Sequence, residues 1–503
     1  MFSLLAREMI FVNEVVLGTT FGILIGPYSG GIFDPRAWGD TDAMTLELMR
    51  IVLATGLFAI GVELPKSYMW QHSRSLMAMV IPTMAIGWII VAGLLRLLFP
   101  VLDFVSCLAI SACLTPTDPI ICAAIVGGKF AQKHVPVNLR QLLSAESAAN
   151  DGLAYPFLTL AIYMTIDSSK KAALTHWVFI GWLYEVVLGV VMGAIIGLMF
   201  SHLMKYSRKR GYINRESYVA QYLALAVFIT GFVSLVGSDD LLAAFAAGSA
   251  ISWDGEFNTH TEGESFASVI ELLLNCGCFI YIGAWLPFDS FTMPELGITP
   301  WRLLVLSGGI MFLRRIPAIL TLYRWIPEIA SWREALFSGH FGPVGVLELA
   351  MGVGAVFIST LAVHRLGTPT IPPITQQDHL TLAIHPVVCF VVLASIVIHG
   401  LSIPFFNMGR NITQTITISK SLPSYPDWLT GVSRNPVLPR EPDTERAASP
   451  SRPGVEVASK VVRIADERQP LLSTVQPLRY NGDGRTSIPE TEHLCDVQGL
   501  QAV

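Results

Sequence analysis

Apolar stretches long enough to cross a lipid bilayer recur along the first four fifths of the 503-residue chain, and no other feature restricts its fold as severely. A hydrocarbon layer about 30 Å thick asks for about 20 mostly apolar residues per helix. It also admits only structures that satisfy their own backbone amides, namely helices and closed barrels. We place twelve segments, at about 9–26, 44–64, 75–99, 102–127, 141–166, 176–204, 217–237, 239–252, 266–288, 302–325, 334–360 and 384–407. The expected fold is an all-α polytopic membrane protein. Composition agrees, since 52% of the residues are hydrophobic and only 14% are charged, whereas charged residues make up about a quarter of a water-soluble domain.

Several function classes fall away at this point. Lys and Arg are scattered through apolar segments, which speaks against a nucleic-acid partner. Six of the seven cysteines lie in apolar segments and Cys495 near the C terminus, with no CxxC pair, so they read as small core hydrophobes. No nucleophile, base and oxyanion set can be assembled, so the chain is not read as an enzyme, and no cofactor motif is found. From Met408 onward Pro, Ser, Arg and Glu dominate, as in "LPREPDTERAASPSRPG". Such a stretch cannot bury enough apolar surface to fold alone. The expected organisation is therefore a transmembrane domain over residues 1–410, with core helices at about 75–166 and 302–407, and a disordered cytoplasmic tail over 411–503.

Cytoplasmic loops carry an excess of Lys and Arg. With twelve crossings, Lys66, Arg74, Lys129, Lys133, Arg140, Lys205, Arg208, Lys209, Arg210, Arg215, Arg324 and Arg333 fall on one side. Both termini are thus expected in the cytoplasm. One loop on that side, "WDGEFNTHTEGES", is acidic, but acidic residues count little in this rule.

Two segments carry helix breakers near mid-membrane. "ACLTPTDPIICAA" sets Pro116 and Pro119 around Thr117 and Asp118, and "FSGHFGPVGVLELAMGVG" has Gly339, Gly342, Pro343 and Gly345 at comparable depth. Paired interruptions in two halves of a membrane chain point to a transport site at the midplane. Segments three to five and ten to twelve would be the inverted halves, with the breaks in four and eleven crossing. Asp118, at a half-helix start, is either a cap and dipole partner or a direct ligand.

Between the breaks lies "SAESAANDGLAYPF", which places Glu146 and Asp151 in an apolar segment. A carboxylate there costs about 2.5–3.5 kcal/mol on the mildest insertion scale. Residues four apart share a helix face, so Ser147 lines up with Asp151 and Glu146 with Asn150. The two carboxylates diverge by about 140° on a helix of 3.6 residues per turn and should have different partners. Asp151, the Ser147 hydroxyl and the Thr117 carbonyl would form an oxygen cage suited to a hard cation such as Na+ or Li+. When the cation leaves, a buried carboxylate takes a proton, because desolvation disfavours its charged form. One group that holds either a cation or a proton, never both, suffices for exchange. Glu146 needs a counter-charge, which "MFLRRIPAIL" offers as Arg314 or Arg315 in an apolar helix.

At these residues the chain resembles the fungal Na+/H+ antiporter family of the monovalent cation/proton antiporter superfamily. The matching stretches are "GVELPKSY", "LTPTDPI", "LLSAESAANDGLAYPF", "LLAAFAAGSAISWDGEF", "FLRRIPAIL" and "WREALFSGHFGPVGV", and the resemblance covers about residues 9–410. It implies a six-helix core with crossed broken helices, a dimerisation domain and a homodimer, and elevator-like alternating access. It further implies that Asp151 is the cation- and proton-binding carboxylate of the Asn150–Asp151 motif, with Thr117 and Ser147 as accessory ligands. Glu146 would pair with a core arginine, for which Arg315 is favoured over Arg314, and Glu63 in "GVELP" would reach the ion through water. Family members usually begin with one more helix, thirteen in all, whereas "MFSLLAREMIFVNEVV" starts about where the second would.

The expected function is a secondary active antiporter of the plasma membrane, exchanging cytoplasmic Na+ or Li+, with K+ as a further candidate, for external H+ in cation and pH homeostasis. Its rivals are an endomembrane K+/H+ exchanger and a transport-inactive sensor with the same fold. Glu185, Glu271 and Glu348 read as structural or cavity-facing, His340 as a satisfied polar residue rather than a pH sensor, and "AAFAAGSA" as a close-packing face. "DERQPLL" places Glu467, Leu471 and Leu472 in an acidic-dileucine pattern, which would recruit a sorting adaptor and route protein to endosome or vacuole.

Overall fold

The computed structural model describes residues 14–117, 136–167, 169–212, 215–255, 266–329, 331–341 and 352–420. These form helices and connecting loops, with one isolated bridge between Met293 and Ile298 and no strand among the described residues. In chain order the main helices are α1 (Glu14–Ile25), α2 (Thr41–Glu63), α3 (Ser73–Leu98), α4 (Phe104–Cys113), α5 (Val137–Ile166), α6 (Lys170–Lys209) and α7 (Arg215–Val236). There follow α8 (Asp240–Ile251), α9 (Phe266–Trp285), α10 (Pro300–Leu313), α11 (Ile316–Leu322), α12 (Trp332–Phe341), α13 (Val353–Leu366) and α14 (Gln376–Lys420). Among the described residues, five helical spans are long and apolar enough to cross a bilayer: α2, α3, α6, Pro300–Trp325 and Gln376–Ile398.

Local chemistry sets the boundaries. Asp40, Asp103 and Asp239 each precede a helix and accept a first-turn amide, from Ala43 at 3.1 Å, Ser106 at 2.7 Å and Leu242 at 2.9 Å. Such side-chain caps satisfy amides that have no partner within the helix. At the far end of α2, Leu64 is extended ahead of Pro65, which ends the helix at Glu63. Asp378 ties the start of α14 to its loop by accepting from the amides of Thr370, Ile374 and Thr375 at 3.0, 3.2 and 2.9 Å.

The fourth segment stops as a helix at Cys113, just before Pro116, where the sequence places its break, and Thr115 turns its hydroxyl back onto the Ala112 carbonyl at 2.6 Å. In two other segments the structure departs from the sequence reading. The tenth, expected as one apolar helix, is broken. Arg314 ends α10 and Arg315 precedes α11, whose second residue, Pro317, lacks the amide that would carry the helix through. The last helix runs from Gln376 to Lys420, starting before the expected 384 and continuing ten residues into the stretch read as tail. Residues 421–503, with Glu467, Leu471 and Leu472, lie outside the described residues, as do Asp118, Gly342, Pro343, Gly345 and Glu348.

Helix α5 sits at the centre, packed by α3, α4, α6, α8 and α13. It is the most polar of the long helices and also among the most enclosed, with Glu146, Ser147, Asn150 and Asp151 all buried. A second layer forms around α8, which packs between α2 and α6. Gly248 admits the α2 backbone so closely that a Cβ there would lie 2.3 Å from the Phe58 carbonyl oxygen. That contact gives the Gly/Ala run its packing role. On α6, Phe179, Leu183, Leu198 and Met199 are exposed, an outer face suited to lipid.

Candidate cation site on helix α5

Where α4 stops, the chain passes Thr115, Pro116 and Thr117 in non-helical form, all buried. The backbone polar groups freed by the interruption need partners at membrane depth, and α5 supplies them. The Thr117 amide donates to Asn150 Oδ1 at 3.1 Å. Asn150 Nδ2 donates to Thr117 Oγ1 at 2.7 Å, Thr117 Oγ1 donates to Ser147 Oγ at 3.2 Å, and Ser147 Oγ donates to the Thr117 carbonyl at 3.0 Å. Thr117, Ser147 and Asn150 thus form one bonded group across 30 or more residues of sequence.

Asp151 lies one turn beyond Ser147 and is 1% exposed. Its carboxylate faces the first turn of α13. A Cβ built on Gly354 would lie 3.0 Å from Asp151 Oδ1 and 3.3 Å from Oδ2. The chain beyond α4 and the first turn of α13 therefore both meet α5 near this carboxylate. Three oxygen-bearing side chains, Thr117, Ser147 and Asn150, and the Thr117 carbonyl are bonded together next to Asp151 along α5, and all of them are buried.

Glu146 has a different environment. Arg315 Nη1 and Nη2 donate to Glu146 Oε1 and Oε2, both at 2.7 Å, and Arg315 Nε donates to the Ser338 carbonyl at 3.3 Å. This is a bidentate pair, the strongest geometry a guanidinium offers a carboxylate. Arg314 turns the other way: Nη2 donates to the Thr115 carbonyl and, at 3.4 Å, to that of Pro116. It sits at the carbonyl end of α4, where a positive charge is favourable. A small cavity lined by Thr83, Met84, Gly87, Thr115, Asn150, Arg314 and Arg315 adjoins this point. Glu63 closes α2 as an exposed residue, with no direct hydrogen bond or ion pair to the Thr117 group among the described residues.

Two charged contacts escaped the sequence reading. Arg365, at the end of α13, donates through Nη2 to Glu185 Oε1 at 2.9 Å and lies 5.7 Å from the centre of the Tyr155 ring. Arg50 on α2 pairs with Asp240 at 3.0 Å and lies 5.8 Å from the centre of the Phe357 ring. Tyr155 is one turn from Asp151 and Phe357 is one turn from Gly354, and their rings are 6.4 Å apart. The one available signal was the charged residue type inside an apolar segment. Glu185 lies in a π-helical stretch, Trp177–Val187, a departure from regular helix that is often found at functional sites.

A helix interrupted beside a buried carboxylate in an all-helical membrane protein is an arrangement that secondary transporters use. The model of the sodium/hydrogen exchanger transmembrane family matches residues 1–408, and the chain belongs to that family. It is 40% identical over 510 residues to a probable Na+/H+ antiporter of Schizosaccharomyces pombe, covering 98% of this chain and 64% of that one. It is 41% identical over 435 residues to an Na+/H+ antiporter of Saccharomyces cerevisiae, covering 84% and 43% respectively. An Na+/H+ antiporter of Zygosaccharomyces rouxii is 38% identical, with 89% and 55% covered. The chain thus spans less than two thirds of the length of these relatives. In fold it is similar to a sodium proton antiporter of Methanocaldococcus jannaschii, with a TM-score of 0.59 at 17% identity, covering 79% of this chain and 95% of that one.

Proposed function

We propose that this protein is a secondary active antiporter that exchanges cytoplasmic Na+ or Li+ for external H+ at Asp151, by alternating access. The reading is carried by one observation: a carboxylate buried to 1% exposure on α5, one helical turn from the Ser147 hydroxyl that bonds the Thr117 carbonyl where a membrane helix is interrupted. Relatives named as Na+/H+ antiporters, at 38–41% identity, support the same reading.

The chemistry follows from charge balance. A bare carboxylate in hydrocarbon surroundings is strongly disfavoured, so Asp151 holds either a proton or a metal cation. For a cation to bind, the Ser147 hydroxyl turns its proton away from the Thr117 carbonyl, and both oxygens become ligands beside the carboxylate. Hard monovalent cations prefer such all-oxygen surroundings. Asn150 holds the Thr117 segment in register through its two hydrogen bonds. Because cation and proton compete for one group, each crossing carries one or the other, and a proton gradient drives the cation outward without ATP. Asp118 is assigned to the same site as a cap or further ligand.

In this account the Glu146–Arg315 pair is a fixed element of the core, and Glu63 communicates with the site through water. The protein is assigned to the plasma membrane as a homodimer with both termini in the cytoplasm. The cytoplasmic tail carries a sorting signal at Glu467, Leu471 and Leu472. Purified protein in proteoliposomes tests the proposal. Wild type should move Na+ and Li+ against an imposed proton gradient and Asp151→Ala should not, while exchange at the wild-type rate by Asp151→Ala would contradict the assignment. K+ run in parallel measures how far the selectivity extends.

A further inference from the structure

Asp151 meets α13 at the one residue type that has no side chain. Gly354 is the second residue of that helix and its backbone is not left-handed, so the missing side chain answers to space rather than to conformation. A Cβ there would lie 3.0, 3.3 and 3.4 Å from Asp151 Oδ1, Oδ2 and Cγ. Contacts this short oblige something to move by a few tenths of an ångström. Helix α13 cannot withdraw easily, because Val353, Ala355, Val356 and Phe357 are all buried. Nor can α5 retreat, since Gly152 already lies against Leu242, where a Cβ would be 2.7 Å from the Leu242 Cβ. The group left to yield is the carboxylate itself, which would be pushed off the first turn of α13.

We propose that Gly354 determines which cations the site admits: its bare Cα leaves the room behind the Asp151 carboxylate that lets the oxygen cage expand around ions larger than Li+. The inference rests on the reading of Asp151 as the exchange carboxylate. Selectivity among hard cations follows cavity size and the freedom of the ligands to adjust. A methyl group at 354 holds the carboxylate forward and shrinks the cage, so the penalty grows in the order Li+, Na+, K+.

The test measures half-saturating Li+, Na+ and K+ concentrations for proton-driven exchange by full-length wild type, Gly354→Ala and Gly354→Ser in proteoliposomes. Gly93→Ala serves as control, because a Cβ there meets nothing within 4 Å. One extra carbon in a fitted site is worth about tenfold or more in discrimination. Gly354→Ala should therefore raise the half-saturating Na+ concentration about tenfold and that of K+ further, with Li+ changed less than about threefold. Gly354→Ser should follow the same order and Gly93→Ala should match wild type. An equal shift for all three cations, no shift, or a lower maximal rate at unchanged half-saturation overturns the proposal. So does misfolding of both variants in gel filtration and thermal unfolding, which would make the glycine a packing requirement only. If wild type moves no cation, or if Asp151→Asn exchanges as wild type does, the antiporter reading has failed instead.

Discussion

The two carboxylates of α5 stand five residues apart, are equally buried, and meet opposite surroundings. Glu146 gives both oxygens to one guanidinium at 2.7 Å. Asp151 lies against the bare backbone of α13 on one side and one turn from a hydroxyl, amide and carbonyl group on the other. A bidentate ion pair at this depth is rigid, because parting it would leave two uncompensated charges. A carboxylate among neutral oxygens can trade partners, because either a proton or a metal ion neutralises it. The contrast teaches that burial alone does not mark a transport residue; the chemistry of the neighbours decides whether a buried charge is fixed or exchangeable.

Substitutions that interchange the two roles would break this comparison. The largest effect is expected at Asp151. Removing the exchange carboxylate of the proposed cage loses a close charge–charge contact worth at least about 3 kcal/mol, so Asp151→Ala should lower exchange by about a hundredfold or more. Its unfolding temperature should stay near that of wild type. Glu146→Ala should show the reverse balance, since stranding a buried arginine costs about 3–5 kcal/mol. Thermal unfolding of the purified protein would show it, and Glu146→Ala combined with Arg315→Leu should recover much of the loss.

Smaller changes sharpen the picture. Thr117→Val removes the hydroxyl that bonds both Ser147 and Asn150, at 3.2 and 2.7 Å. With buried partners left unsatisfied at about 1–3 kcal/mol, the half-saturating Na+ concentration should rise about tenfold, with maximal rate changed much less. The smallest effect is expected for Glu185→Gln. Its partner Arg365 is 28% exposed against 6% for Glu185, so solvent reaches the arginine side of the pair, and a glutamine keeps an oxygen to accept its hydrogen bond. A loss of about 1 kcal/mol or less in stability should accompany near-normal exchange. A large loss of exchange there would mean that the comparison had been drawn between the wrong pair of carboxylates.

Much of this was legible in the chain because bilayer physics writes plainly. Span lengths follow from hydropathy, and the interruption at Thr117 follows from Pro116 and Pro119. The spacing of Ser147 and Asp151, four apart, places them on one face before any coordinates are known. Other features were not legible for physical reasons. Arg314 and Arg315 are adjacent and chemically alike, so helix geometry alone left the partner of Glu146 open and only the family resemblance favoured Arg315; that Arg314 turns instead to the carbonyls of Thr115 and Pro116 needed the three-dimensional path. The break between α10 and α11 had a signal in Pro317, which the surrounding apolar run outweighed. Glu185 and Arg365 are 180 residues apart, and no periodicity links them. Gly354 is one glycine among many in an apolar stretch, and its importance exists only in its distance from Asp151.

The account stands or falls on whether cation and proton contend for the same side chain. Proton release on addition of Na+ to the purified, lightly buffered protein measures that contention directly. Wild type should release a proton for each Na+ bound, with apparent Na+ affinity falling as pH is lowered, and Asp151→Asn should release none. Undiminished, pH-dependent release from Asp151→Asn would place the exchange at another group and contradict the account.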